Sequence, residues 1–148
     1  MKKAFIILAA CLLLTACGDS DSVASEVASV AETTTTTAAF PEELAGLNTS
    51  EEAQKLSEYM MEGSFEKVRA SFNAELFEKL SAEQLEAYWN VLAVDAGDYE
   101  GHIDTMSSVE SGLTVTECIL DYSKRDISIT YVFEEDGRVG GFWLDFAE

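Results

Sequence analysis

The sequence has few positive charges: 9 lysines and arginines stand against 28 aspartates and glutamates, for a formal charge of −19 over 148 residues. Affinity for nucleic acid comes from Lys and Arg neutralising phosphates, and no basic stretch here could do that, so nucleic acid is excluded as a partner. Histidine is nearly absent too, with His102 the single one. One His and few cysteines cannot make the usual nitrogen and sulfur zinc site. No apolar run reaches the roughly 20 residues that span a bilayer; the run from Ala4 to Leu14 has 11. The length suits one domain and excludes a repeat array or a multidomain enzyme. What is present is a core's worth of apolar residues, 47% hydrophobic and 10% aromatic, so the acidity does not by itself mean disorder.

A charged start, Lys2-Lys3, followed by a short apolar core is the secretory signal layout. At its end Leu14-Thr15-Ala16-Cys17 resembles the lipobox of bacterial lipoproteins. That resemblance implies cleavage between Ala16 and Cys17, and a diacylglycerol, with acyl chains of the palmitate kind, on Cys17. One acyl chain holds a protein marginally and two hold it stably, so the expected place is the cell membrane, lipid-anchored and facing outside the cytoplasm. Without the signal peptide, 7 basic side chains face 28 acidic ones, so anionic headgroups repel the domain and the lipid must supply the membrane affinity. Cys11 leaves with residues 1–16 and Cys17 carries lipid. Cys118 is then alone, no intramolecular disulfide can form, and its alternating apolar stretch points to a buried, inert thiol. Residues 17–39 comprise the lipidated Cys and a disordered tether of Ser, Thr, Ala, Val and acid. Residues 40–148 form the single domain, with Pro41 near its first helix start.

Within that domain Thr49-Ser50-Glu51-Glu52 fits a capping box, and Ala53, Leu56 and Met60 share a helix face that ends at Gly63. Ser64 is placed to cap a second helix with the face Phe65, Val68 and Phe72; a break near Asn73 precedes a short stretch, Glu75 to Leu80. Ser81-Ala82-Glu83-Gln84 is another capping box, opening a helix patterned by Leu85, Tyr88, Trp89, Leu92 and Ala96 and closed by Gly97. The period then changes to two. Leu113, Val115 and Ile119 alternate with Thr114 and Thr116, and Ile127, Ile129, Tyr131 and Phe133 alternate with Ser128 and Thr130. Asp136-Gly137 marks a hairpin into a last strand, Arg138 to Phe146, while His102 to Val109 is a weaker strand candidate. About three helices followed by about four antiparallel strands is an α+β layout with helices on one sheet face.

Gly63-Ser64-Phe65-Glu66, the Trp89 helix running into Ala96-Gly97-Asp98-Tyr99, and Val132 to Phe142 with its Glu-Glu-Asp-Gly-Arg turn resemble the domain-of-unknown-function family 3887 over roughly residues 50 to 146. The resemblance implies a nuclear transport factor 2-like (cystatin-like) cone, in which a curved sheet wraps helices around a pocket at its mouth. It also implies a setting as a bacterial lipoprotein or beside an alpha/beta-hydrolase domain. It supplies no catalytic residues; the chain is expected to end where a hydrolase would begin, and the Gly-x-Ser-x-Gly elbow is absent.

His102 is a possible general base, with Asp104 or Asp145 as its carboxylate, but a competent base needs a positioned partner, and a surface hydrogen bond is the simpler expectation. The acidic groups Asp19-Ser20-Asp21 and Glu134-Glu135-Asp136-Gly137 lack the calcium-loop spacing. No catalytic residue, metal or cofactor is therefore expected. Trp89 is expected in the core. Trp143, beside Gly140 and Gly141, is the better candidate for lining a pocket, and His102, Tyr131 and Trp143 are the candidate ligand-binding residues. The leading function is a non-enzymatic binding module for a small apolar ligand, a peptide or an envelope protein, in a monomer kept apart by charge. The alternative is a small cone-fold enzyme using His102. A filled cone interior favours a partner-binding module; a pocket holding His102 beside a buried carboxylate favours the enzyme.

Overall fold

Asn48 starts the first long helix: its side chain accepts from the Ser50 and Glu51 amides at 3.1 Å each, and Glu51 Oε2 accepts from the Asn48 amide at 3.1 Å. The structure, a computed structural model, describes residues 38–148. The expected signal segment 1–16, Cys17 and most of the expected tether, through residue 37, lie outside the described residues.

The capping box expected at Thr49 and Glu52 is thus shifted by one, to Asn48 and Glu51, because the amide side chain before Thr49 closes the same loop. The shift matters for Glu52. It has no capping role and is turned inward on α1 (Thr49–Met61), 3% exposed. Gly63, at φ +73°, ends the helix as expected. Ser64 precedes α2 (Phe65–Ala70) but makes no side-chain cap bond. Asn73 Oδ1 accepts from the Leu76 amide at 2.8 Å and opens α3 (Ala74–Lys79), which raises the helices from about three to four. Ser81 and Gln84 form the expected box on α4 (Ala82–Ala96). Gly97 closes that helix at φ +94°, where a Cβ would collide with the Ser123 hydroxyl.

The sheet is a simple antiparallel meander, β1 (Tyr99–Glu110), β2 (Leu113–Tyr122), β3 (Ile127–Phe133) and β4 (Val139–Phe146), with β1 and β4 at its edges. The weak strand candidate from His102 to Val109 is the middle of β1. Gly137, at φ +82°, makes the turn between β3 and β4, and the Glu134 amide donates to the Arg138 carbonyl at 2.8 Å.

Helices cover one face of this sheet, and the core lies between. Ile127, Ile129, Tyr131 and Phe133 of β3 point into it, as the alternation predicts. On β2 Cys118 is buried as expected, together with Thr116, Leu120 and Tyr122, but this turns the patterned apolar residues Leu113, Val115 and Ile119 away from the core. The helix above explains why. α1 presents Ser50, Gln54 and Ser57 to the sheet, and a polar seam forms in which Ser50 bonds Ser107 (2.9 Å), Ser107 bonds Thr116 (2.9 Å) and Gln54 Nε2 donates to Thr105 (3.1 Å). With partners available, Thr116 can face inward at little cost. Elsewhere the interior is filled by large side chains, Phe72, Tyr131 and Phe133 among them, with Phe142 against Tyr131 at 5.6 Å between ring centroids. Among the described residues no helix is long and apolar enough to cross a membrane.

Candidate functional site

An apolar groove of about 480 Å³ opens where α4 meets the edge strand β4, lined by Leu80, Tyr88, Val91, Leu92, Phe142, Trp143 and Leu144. Its walls follow from how each element is anchored. α4 commits Leu85, Trp89 and Ala96 to the core, which leaves Tyr88 (58% exposed) and Val91 (67%) on the outside. Val94 stays exposed as well. On β4 the alternation sends Phe142 and Leu144 toward the helices, half-buried, and leaves Trp143 56% exposed. Arg69 of α2 fixes the end of α3: its Nε donates to the Leu80 carbonyl at 3.0 Å, its Nη2 donates to the Phe77 carbonyl at 2.9 Å, and its guanidinium stacks 3.6 Å from the Phe77 ring centroid. Leu80 is thereby held as the groove's third wall. Exposed carboxylates follow on both walls, Asp95 one turn beyond Val91 and Asp145 next to Leu144, and neither forms an ion pair among the described residues.

The three candidate ligand-binding residues of the described chain do not come together. Trp143 borders the groove on β4, while His102 is exposed on β1 at the opposite edge of the sheet. Tyr131 lies between them, fully buried, with its hydroxyl 3.2 Å from Ser57 Oγ; desolvation pushes its phenol far above the ordinary tyrosine range. It packs the core and borders no open cleft. Cys17 lies outside the described residues.

Around His102 the partners are neutral. Its Nε2 is hydrogen-bonded to Thr105 Oγ1 at 2.8 Å, and that hydroxyl lies 3.6 Å from Cys118 Sγ. The two carboxylates considered as its partner are engaged elsewhere: Asp104 accepts from the Thr105 amide at 2.8 Å, and Asp145, on β4, accepts from the Phe146 amide at 2.8 Å. The chain of contacts from His102 to Cys118 does not make a nucleophile. Burial pushes the thiol above its usual value, outweighing the hydrogen bonds from Thr105 and Ser57 that pull it down, so Cys118 stays protonated inside the core.

A second, polar cleft of about 460 Å³ lies at the β3–β4 turn between Asn73, Glu75, Glu134, Asp136 and Arg138. Its groups are used structurally. Glu134 Oε1 accepts from Asn73 Nδ2 at 2.6 Å, and Arg138 Nη1 donates to the Phe72 carbonyl at 3.0 Å, which ties the segment before α3 to the hairpin. Among the described residues no group of three or more His, Cys, Asp or Glu side chains is arranged to hold a metal ion.

Four helices on one face of an open four-stranded antiparallel sheet make this an α+β protein of the nuclear transport factor 2-like cone class. The family model described as "Protein of unknown function (DUF3887)" matches residues 53–142, and the chain belongs to that family. No curated protein and no solved structure matches it.

Trp143, a candidate from the sequence, borders this groove, while the groove itself has no local signature on β4. The signal was present on α4, where Val91 and Val94 add apolar positions beyond the stripe of Leu85, Trp89 and Ala96. A helix packed on one face needs no such residues on its others.

Proposed function

We propose that this chain is a lipid-anchored envelope lipoprotein, held outside the cytoplasm through Cys17, whose domain is a non-catalytic binding module with the α4–β4 groove as its binding site. The observation that carries the binding reading is the groove itself, an apolar concavity with Tyr88, Val91 and Trp143 exposed around it. Burying such side chains contributes about 25 cal/mol per Å² of apolar area removed from water, and exposed apolar patches of this kind mark binding surfaces. The interior, packed with Phe72, Tyr131 and Phe133, supports the same reading, and His102 lies outside it, exposed on β1. The pairing of His102 with Thr105 rather than with a carboxylate weighs against the enzyme alternative.

The binding arm is tested by titrating the protein with the neutral apolar dye Nile red. Saturable fluorescence enhancement is expected, weakened at least tenfold by Val91→Glu, which alters an exposed position and spares the core. Equal binding by wild type and variant would overturn the groove as the site. The anchoring arm is tested by membrane fractionation: Cys17→Ser is expected to release the protein from the membrane, and unchanged fractionation would overturn lipid attachment there.

A further inference from the structure

The groove runs along a sheet edge, and the edge is open. At its first residue β4 is covered: the Val139 amide donates to the Ser71 carbonyl at 3.0 Å, and the Asn73 amide donates to the Val139 carbonyl at 2.9 Å. The segment before α3 therefore lies beside β4 as a one-residue parallel bridge, Phe72 with Val139. From Gly140 to Asp145 no backbone group bonds to anything beyond β3 among the described residues, and the Phe146 amide is taken locally by the Asp145 carboxylate at 2.8 Å. An unpaired edge of this kind accepts another extended chain, with alternate side chains of the added strand falling on each sheet face. Here the inner of those faces is the groove, between the exposed Tyr88 and Val91 of α4 and the half-buried Phe142 and Leu144 of β4.

Charge selects what can lie there. Asp145 shares the outward side of β4 with Trp143, Asp95 continues α4 one turn beyond Val91, and the whole chain carries −19. Of the cations nearby, Lys79 is paired with Glu75, Arg69 is held by Glu66 and the Leu80 carbonyl, and Arg125 stacks on Phe146 at the far end of the strand. An acidic peptide meets repulsion along this edge, whereas one with lysines or arginines between its apolar residues turns them to the outer sheet face, where Asp145 lies, while its apolar residues enter the groove.

We propose that the α4–β4 groove binds an extended cationic peptide with alternating apolar residues, added to the free edge of β4 as a fifth strand with its apolar side chains in the groove. This rests on the groove being the binding site and names its ligand. The occupant is a polypeptide segment rather than a small molecule because the open edge supplies a row of backbone donors and acceptors that a compact apolar ligand leaves unused.

The test uses the full chain carrying Cys17→Ser and a fluorescein-labelled octapeptide of alternating Lys and Val, followed by fluorescence anisotropy. Binding is expected, weakening as salt is raised. It should fall at least tenfold for the matching Glu and Val peptide, and about threefold for Asp145→Asn, an exposed position whose side-chain oxygen can still accept from the Phe146 amide. Strand addition has its own signature. Of two peptides N-methylated at alternate residues, one set on the Lys positions and one on the Val positions, one should lose binding and the other keep it, because only every second amide faces β4. Equal binding of both methylated peptides would overturn strand addition, and equal binding of the Lys and Glu peptides would overturn the charge argument. Nile red binding without peptide binding would overturn the peptide inference while leaving the groove as a binding site; binding of neither would overturn both.

Discussion

The indole of Trp143 lies against Gly141, two residues earlier on the same strand: a Cβ built on Gly141 would stand 2.9 Å from Trp143 Cζ3 and 3.2 Å from Val132 Cβ. The glycine is there for space, since its backbone is ordinary extended strand. Any side chain at 141 would displace the ring that borders the groove.

Gly141→Ala is therefore expected to move Trp143. The cost in stability should be about 1–2 kcal/mol, in the usual range for an inserted methyl. The emission of Trp143, read in a Trp89→Phe background, should shift as the ring leaves its seat. Unchanged emission with unchanged stability would show that ring and backbone are not in contact.

The two tryptophans should separate cleanly. Trp89 is 6% exposed and Trp143 is 56% exposed, so Trp89→Ala is expected to cost about 3–5 kcal/mol, as large core truncations do, and Trp143→Ala less than about 1 kcal/mol. Chemical denaturation of both variants checks this, and equal losses would contradict the placement of α4 and β4.

Glu52 gives a pH prediction. It is 3% exposed, its Oε1 makes no hydrogen bond among the described residues, and desolvation pushes its carboxyl up from 4.5 to about 7. A folded pKa above the unfolded one means that the folded state holds the proton more tightly. The contribution is therefore full below about pH 4.5 and lost as pH rises to about 7. Glu52→Gln removes the titration while keeping the shape. Its stability relative to wild type should rise by about 3 kcal/mol between pH 4 and pH 8, at 1.36 kcal/mol per pKa unit. A flat difference across that range would mean that Glu52 is solvated or paired.

Tyr131 and Ser57 join β3 to α1 through their hydroxyls at 3.2 Å, and Ser57 also donates to the Ala53 carbonyl at 2.8 Å. Because Ser57 keeps that second bond, Tyr131→Phe should cost only about 1 kcal/mol. A loss of several kcal/mol would mean that the hydroxyl belongs to a larger network.

The sequence disclosed those parts of the fold whose signals are local. The Ser81–Gln84 box, the stops at Gly63 and Gly97, the Asp136-Gly137 turn and the inward face of β3 each depend on a few neighbouring residues, and each stands where expected. Where two local signals compete, the outcome is decided elsewhere in the chain. Asn48 and Thr49 can both cap, and the choice turned Glu52 inward. Both faces of β2 carry apolar residues, and the polar side chains α1 brings across decided which face is buried. The candidate site is legible only in part for the same reason. Trp143 stood out by its glycine neighbours, but a groove assembled from α3, α4 and β4 exists only after the edge strand docks beside the helix. Tyr131 has the strand alternation of a core residue and is one; nothing local distinguishes such a tyrosine from one facing a pocket.

The central claim is that binding occurs at the α4–β4 groove. Amide chemical-shift mapping by NMR, with Nile red titrated into the ¹⁵N-labelled protein, tests it most directly. The account predicts shifts concentrated at Leu80, Val91, Leu92 and Phe142 through Leu144, with β1 and its His102 unaffected. Shifts centred on His102 and Thr105, or no saturable shifts at all, would contradict it.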